Sequence, residues 1–283
     1  MKLKTGTCDV YYYDENDMTD YARMARHGYS SIDFDTSCDT EGILYRCGAQ
    51  EFNDILSKEL ARARKNGISI GQVHGPWPVD DTTAEKRDQN LEYMKTAVRI
   101  AEQLDSPYLV VHPVMPYGWN READPAWAVK INEDYIRELT DYAGLHGVSI
   151  ALENMPTMNH TLASVKSIVD FVKRMNHPNL VVCLDTGHAN VTGEEIGAAV
   201  RECGSLLQVL HVHDNDGKTD SHRIPYCGGG NIDWASFRSA IHEIGFNGVM
   251  SLETGIYINT PEPVRESLLL SFAAIAKYLA DDE

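Results

Sequence analysis

Eight short aliphatic runs, each separated from the next by a helical pattern, constrain this chain more than any other feature. The runs are Thr5–Val10, Ser31–Phe34, Ile68–Val73, Tyr108–Val111, Ser149–Leu152, Leu180–Leu184, Leu207–Val212 and Gly248–Leu252. Stretches of β-branched and aliphatic residues bounded by Gly, Pro or Asn read as strands buried on both faces, the habit of a parallel sheet. Between them, apolar residues recur at intervals of three and four. Leu91, Met94, Val98, Ala101 and Leu104 make one such face, and Ile131, Tyr135, Leu139 and Tyr142 another. Thr260 followed by Pro261 predicts the cap and first turn of a final helix that carries Val264, Leu268, Phe272, Ile275 and Leu279 inward. Gly67, Gly147 and Gly245 each fall after a helix and before a strand, where a left-handed helix stop is wanted.

This alternation over 283 residues predicts an α/β protein, a single (β/α)8 TIM barrel occupying residues 1–283. No linker or composition shift marks a second domain. A doubly wound open sheet is the competitor, but it would gather its ligand at one topological switch point. Here polar residues end the runs from the third strand to the eighth. The barrel is therefore expected, and its C-terminal mouth is where such a fold keeps its chemistry.

The polar tips are of one kind. The fifth to eighth strands run into Glu153, Asp185, His211 and Glu253, and the fourth into His112. Asp, Glu and His together make up 53 of 283 residues, so one acidic tip means little by itself. Four in succession outline a metal site, because hard oxygens with an imidazole suit Mn²⁺, Mg²⁺, Co²⁺ or Zn²⁺. Taken alone, Asp185 also reads as a helix cap or loop brace, since Asp-Thr-Gly is good turn chemistry.

Charge and composition weigh against several alternatives. The net charge of −17 repels phosphate backbones, so no nucleic-acid partner is expected and a heavily phosphorylated substrate is disfavoured. No stretch approaches a membrane span. The first residues lack the apolar core of a signal peptide, which predicts a cytoplasmic enzyme. Cys8, Cys38, Cys47, Cys183, Cys203 and Cys227 are scattered without a CxxC pair and read as reduced thiols.

At these same positions the chain resembles the xylose-isomerase-like barrel superfamily of sugar isomerases, ketose 3-epimerases, hydroxypyruvate isomerases and endonuclease IV. The carrying motifs are Val73-His74-Gly75-Pro76, Val111-His112-Pro113, Leu152-Glu153-Asn154, Asp185-Thr186-Gly187-His188, His211-Val212-His213-Asp214 and Gly228-Gly229-Gly230-Asn231-Ile232-Asp233-Trp234. The resemblance implies that Glu153, Asp185, His211 and Glu253 bind one divalent metal, Mn²⁺ foremost, with no organic cofactor. It also makes Glu153 and Glu253 the acid–base pair of a sugar isomerase or epimerase. A metal chelated by a carbonyl and its neighbouring hydroxyl acidifies the adjacent C–H. One glutamate then removes that proton to give an enediolate, and the return of a proton sets the product.

The resemblance further implies substrate contacts from His188, Arg223, His74, His112 and Trp77, and a small-molecule sugar as partner, with a homo-oligomer as one arrangement. It leaves a rival open. In three-zinc relatives, residues matching His74 and His112 share a second metal with the strand-five glutamate, and Asp220 and His222 would complete a third site with His188. That inventory belongs to a phosphodiester hydrolase of the endonuclease IV kind. A dehydratase or lyase of keto sugars or inososes is a third reading that shares the enediolate chemistry. Trp77, Trp119 and Trp127 are expected in loops after strands three and four, where an aromatic face suits the C–H face of a sugar. The glycine run 228–230 reads as a tight backbone crossing near the mouth. Substrate identity is expected to reside in the loops Cys38–Glu51, Pro76–Thr83, Met115–Asp124 and Asp214–Asn231.

Overall fold

The structure, a computed structural model, describes residues 3–14, 18–36, 40–77, 81–256 and 260–281. Cys38, and parts of the Cys38–Glu51 and Pro76–Thr83 loops, lie outside them. The strands are β1 (Lys4–Cys8), β2 (Ser31–Asp35), β3 (Ser69–His74), β4 (Tyr108–Val111), β5 (Ser149–Glu153), β6 (Leu180–Asp185), β7 (Leu207–His211) and β8 (Val249–Leu252). All pair in parallel in the order β7-β6-β5-β4-β3-β2-β1-β8. A parallel bridge between Val212 and Leu252 joins the two ends of that order. Val212 N donates to Ser251 O at 2.8 Å and Glu253 N to Val212 O at 3.1 Å, so the sheet closes into the expected TIM barrel.

The helices are α1 (Tyr21–His27), α2 (Ile43–Arg46), α3 (Ala49–Lys65), α4 (Ala84–Gln103), α5 (Pro125–Leu145), α6 (Val165–Met175), α7 (Thr186–Val191), α8 (Ile196–Cys203), α9 (Trp234–Glu243) and α10 (Glu262–Ala280). The face expected of α4 is buried throughout, from Leu91 to Leu104. Gly67, Gly147 and Gly245 have φ of +71°, +68° and +67°, the left-handed stops that let each chain turn back into a strand.

Expectations are corrected at α10 and α5. The α10 N-cap is Pro261, which makes no side-chain cap, one residue later than the Thr260 expected there. Its buried face is Leu269, Phe272, Ala276 and Leu279, while Val264 and Leu268 are exposed. The run Leu268-Leu269-Leu270 offers apolar residues on several sides, so spacing alone does not say which side packs. Trp127 lies in the first turn of α5 rather than in a loop, because Asp124 caps that helix by accepting from Trp127 N.

What positions the site is the period of two along each strand. Val110, Ala151, Cys183 and Val209 pack together in a small cluster separate from the main core between sheet and helices. Two residues further along the same strands, or just past their ends, come His112, Glu153, Asp185 and His211. Side chains at i and i+2 share a face, so the residues that fill the barrel interior also aim the polar tips at one mouth.

Candidate active site at the barrel mouth

Glu153 is the hub. Its Oε1 lies 2.9 Å from His211 Nδ1, and its Oε2 lies 3.1 Å from His112 Nε2 and 3.6 Å from His74 Nε2. Glu253 Oε2 approaches the same His211 Nδ1 at 3.3 Å. Glu153, Asp185, His211 and Glu253 present ligand atoms that all lie within 4.8 Å of one another, the four expected from the sequence.

The geometry of His211 tests whether a cation fits there. Its Nε2 lies 2.9 Å from Asp33 Oδ2, so both ring nitrogens face carboxylates, yet a neutral imidazole carries only one N–H. With Nε2–H donating to Asp33, the Nδ1 side beside Glu153 and Glu253 calls for a positive charge, on the ring or among the oxygens. Burial opposes charging this ring, but the surrounding acidic groups outweigh burial and raise its pKa well above the ordinary histidine value. Three carboxylates and one imidazole nitrogen are a donor set that fits Mn²⁺, Mg²⁺, Co²⁺ or Zn²⁺.

The two glutamates diverge. Burial pushes the Glu153 carboxyl up, but the His211 and His112 rings outweigh it and hold it well below the usual range. Glu253 is raised, first by burial and then by the negative charges of Asp185 and Glu153, which its histidine neighbours only partly offset. Burial lowers His112 and keeps it neutral, so its Nε2–H donates to Glu153. His74 is opposed by burial, but Glu153 raises it to about 9.

A second group sits beside the first on shorter leashes. Asp185 caps α7 by accepting from His188 N at 2.6 Å, so the cap and ligand readings of this residue are compatible. The other oxygen, Oδ2, faces His213 Nε2 at 3.0 Å. Gly187 leaves room for that ring, since a Cβ there would lie 1.9 Å from His213 Cε1. His188 Nδ1–H donates to Asn154 O at 2.8 Å, which turns Nε2 toward Asp220 Oδ2 at 3.2 Å. His222 repeats the device, donating from Nδ1 to Glu253 O at 2.9 Å and facing Asp220 Oδ2 with Nε2 at 3.3 Å. His188, His213, Asp220 and His222 thus form another cluster able to hold a cation. Burial opposes charge on His188 and His222, but nearby carboxylates raise both to about 10.

Above these groups lies a cavity of about 360 Å³ lined by His74, Trp77, His112, Trp119, Glu153, Met155, Pro156, His188, Asp220, His222 and Glu253. Asp185 and His211 are fully buried beneath it. Among the described residues the lining includes no Lys or Arg. Arg223 is not brought to this cavity. Its guanidinium donates to Gly229 O at 2.9 Å and to Asp216 Oδ2 at 3.4 Å. Gly230 packs against the Asp214 side chain: a Cβ there would lie 2.1 Å from the Asp214 carboxyl carbon, and Asp214 also accepts from Trp234 Nε1.

Sequence reasoning missed two site residues, Asp33 and His213. Asp33 alternates with apolar neighbours and reads as half-exposed, and the motif His211-Val212-His213-Asp214 gives His213 no role of its own. Their signal was the period of two: Asp33 lies two residues after buried Ser31 within β2, and His213 two residues past His211 at the end of β7.

A family model described as xylose isomerase-like TIM barrel matches residues 21–272. An uncharacterised protein of Methanocaldococcus jannaschii is 31% identical over 260 residues, covering 89% of this chain and 84% of the relative. The D-psicose 3-epimerase of Ruminiclostridium cellulolyticum is 29% identical over 209 residues, covering 71% of this chain and 69% of the enzyme. The crystal structure of D-psicose 3-epimerase with D-tagatose from Clostridium cellulolyticum H10 superposes with a TM-score of 0.79 at 20% identity, over 99% of this chain and all of that one.

Proposed function

This chain belongs to the xylose isomerase-like TIM barrel family, and from that premise we propose that it is a divalent-metal-dependent sugar epimerase or isomerase. The observation that carries this reading is the convergence of Glu153 and Glu253 on one His211 nitrogen, at 2.9 and 3.3 Å, at the floor of a cavity. The similarity to D-psicose 3-epimerases supports a ketose as substrate class. The absence of Lys and Arg from the described lining supports an unphosphorylated one.

Glu153, Asp185, His211 and Glu253 would hold the cation. When bound, it supplies polarisation of a carbonyl and acidification of the neighbouring C–H. The protein's own groups do the rest. Glu153, held ionised by His211 and His112, accepts the proton beside the carbonyl, and Glu253, whose environment favours a proton, returns one from the other side. His188, fixed by Asn154, and His74, fixed by Gly75 O at 2.8 Å, present ring nitrogens to substrate hydroxyls. Trp77 offers an aromatic wall to the C–H face of the sugar. Chromatography of D-psicose, D-fructose and D-tagatose incubated with the Mn²⁺-loaded protein tests the reading: a 3-epimer should appear from at least one.

A second reading rests on a separate observation, the two additional clusters His188/His213/Asp220/His222 and His74/Glu153/His211. Leaving out His213 and adding His112, Asp185 and Glu253 gives His74, His112, Glu153, Asp185, His188, His211, Asp220, His222 and Glu253, the nine residues expected of a three-zinc phosphodiester hydrolase. Metal counting by mass spectrometry separates the two. Close to one equivalent supports the sugar enzyme, and close to three, with nicking of abasic DNA, supports the hydrolase.

A further inference from the structure

We infer that Asp33 is the residue that positions His211 for the cation, an assignment that rests on the reading of Glu153, Asp185, His211 and Glu253 as a metal site. Asp33 lies on β2, across the barrel from β7, and is 3% exposed. Its Oδ2 accepts from His211 Nε2 at 2.9 Å and from Gln72 Nε2, also at 2.9 Å. Those two bonds fix the carboxylate between Gln72 on the adjacent strand β3 and His211 on β7. They also fix the tautomer: a ring whose Nε2 carries the proton has its Nδ1 lone pair aimed at the space shared by Glu153 and Glu253. Without the Asp33 acceptor, the ring loses the bond that decides which nitrogen faces the carboxylates.

The backbone is shaped for this contact. The β2–β3 register shifts between Ile32 and Asp33, so that Ile32 pairs with Ile70 but Asp33 pairs with Gln72. The skipped residue is Gly71, where a Cβ would lie 2.4 Å from Ser31 Oγ and 2.9 Å from Val249 Cγ2. A register irregularity of this kind re-aims a side chain, and here it brings Gln72 level with Asp33. The second carboxylate oxygen, Oδ1, is buried without a hydrogen-bond partner among the described residues. A buried, under-satisfied carboxylate costs stability, which a purely structural role would not call for. Retaining it makes sense where its charge is needed opposite an imidazole that binds a cation.

The test is a Co²⁺ titration of chelator-treated protein, read by visible absorption and by competition with a chelating dye. Asp33→Asn keeps the volume and one acceptor but removes the charge, and Asp33→Leu removes both. We expect Asp33→Asn to weaken Co²⁺ binding about 10- to 100-fold, and Asp33→Leu at least as much, with a changed absorption spectrum. The unfolding midpoint in chelator should fall little, which separates positioning from collapse of the site. In the wild type, ¹⁵N resonances of Zn²⁺-loaded protein should report Nε2 of His211 protonated, a readout independent of the variants' folding. His211→Asn serves as the reference. Its loss of tight binding alongside unchanged binding by both Asp33 variants would overturn the Asp33 assignment alone. Unchanged binding by His211→Asn would overturn the cation site itself, and the assignment with it.

Discussion

The mouth of this barrel holds two polar groups built in different ways. Glu153, Asp185 and His211 end strands, and Glu253 directly follows one, so the sheet's own hydrogen bonds fix their positions. Asp220 and His222 sit on the segment after β7, and His188 sits in a short helix, held by side-chain contacts among themselves and with nearby backbone oxygens. Two members of the first group, Glu153 and Glu253, converge on one His211 nitrogen. The second converges on Asp220, which is a quarter exposed. Rigid placement suits groups that move protons, whereas a loop-borne cluster suits gripping hydroxyls or a further ion. The comparison therefore separates reaction class from the detail that distinguishes an epimerase from a hydrolase.

The largest expected effect comes from the strand-borne set. Glu153→Gln and Glu253→Gln should each lower kcat by about 10²- to 10⁴-fold with the fold intact by circular dichroism. Full activity in either variant would break the idea that both glutamates handle protons. Gly187→Ala links the two groups, because the added methyl meets the His213 ring that pairs with Asp185. Denaturant unfolding should show a loss of about 1–3 kcal/mol.

Asp220→Asn sharpens the contrast through pH. His188 and His222, both raised to about 10 in the folded protein, contribute stability that is fully present below the ordinary histidine value near 6.5. That contribution is lost as pH rises through about 10. Asp220 is held well below the usual carboxylate range, burial being outweighed by those two rings, so it stays ionised throughout. In chelator, Asp220→Asn should therefore lower the melting temperature clearly at pH 7 and less as the pH approaches 10. A penalty independent of pH would break the pairing. The smallest effect is expected at Arg223. Its guanidinium serves Gly229 O and Asp216 instead of the cavity, so Arg223→Ala should change KM by less than about threefold.

How much of this was legible follows from the same contrast. The eight strands were readable because buried parallel strands are short, aliphatic and bounded by turn residues, and their ends were placed to within one or two positions. Glu153, Asp185, His211 and Glu253 were readable because the period of two ties them to those runs. Asp33 was not, since its role comes from a register shift against β3 that no local pattern announces. Arg223 resembles a substrate contact, but the left-handed turns at Tyr226, Gly228 and Gly229 give its side chain a nearby carbonyl instead. The α10 face was misassigned because consecutive leucines satisfy more than one helical stripe. Packing, not periodicity, chose among them.

The central claim is that Glu153 and Glu253 move a proton beside a carbonyl. It is tested most directly by incubating the Mn²⁺-loaded protein with D-psicose, D-fructose, D-tagatose and an inosose in D₂O and reading deuterium by NMR. The account predicts solvent deuterium at the carbon beside the carbonyl of at least one of them, and its loss in both Glu153→Gln and Glu253→Gln. Absence of deuterium from every sugar, or its undiminished entry in either variant, would contradict it.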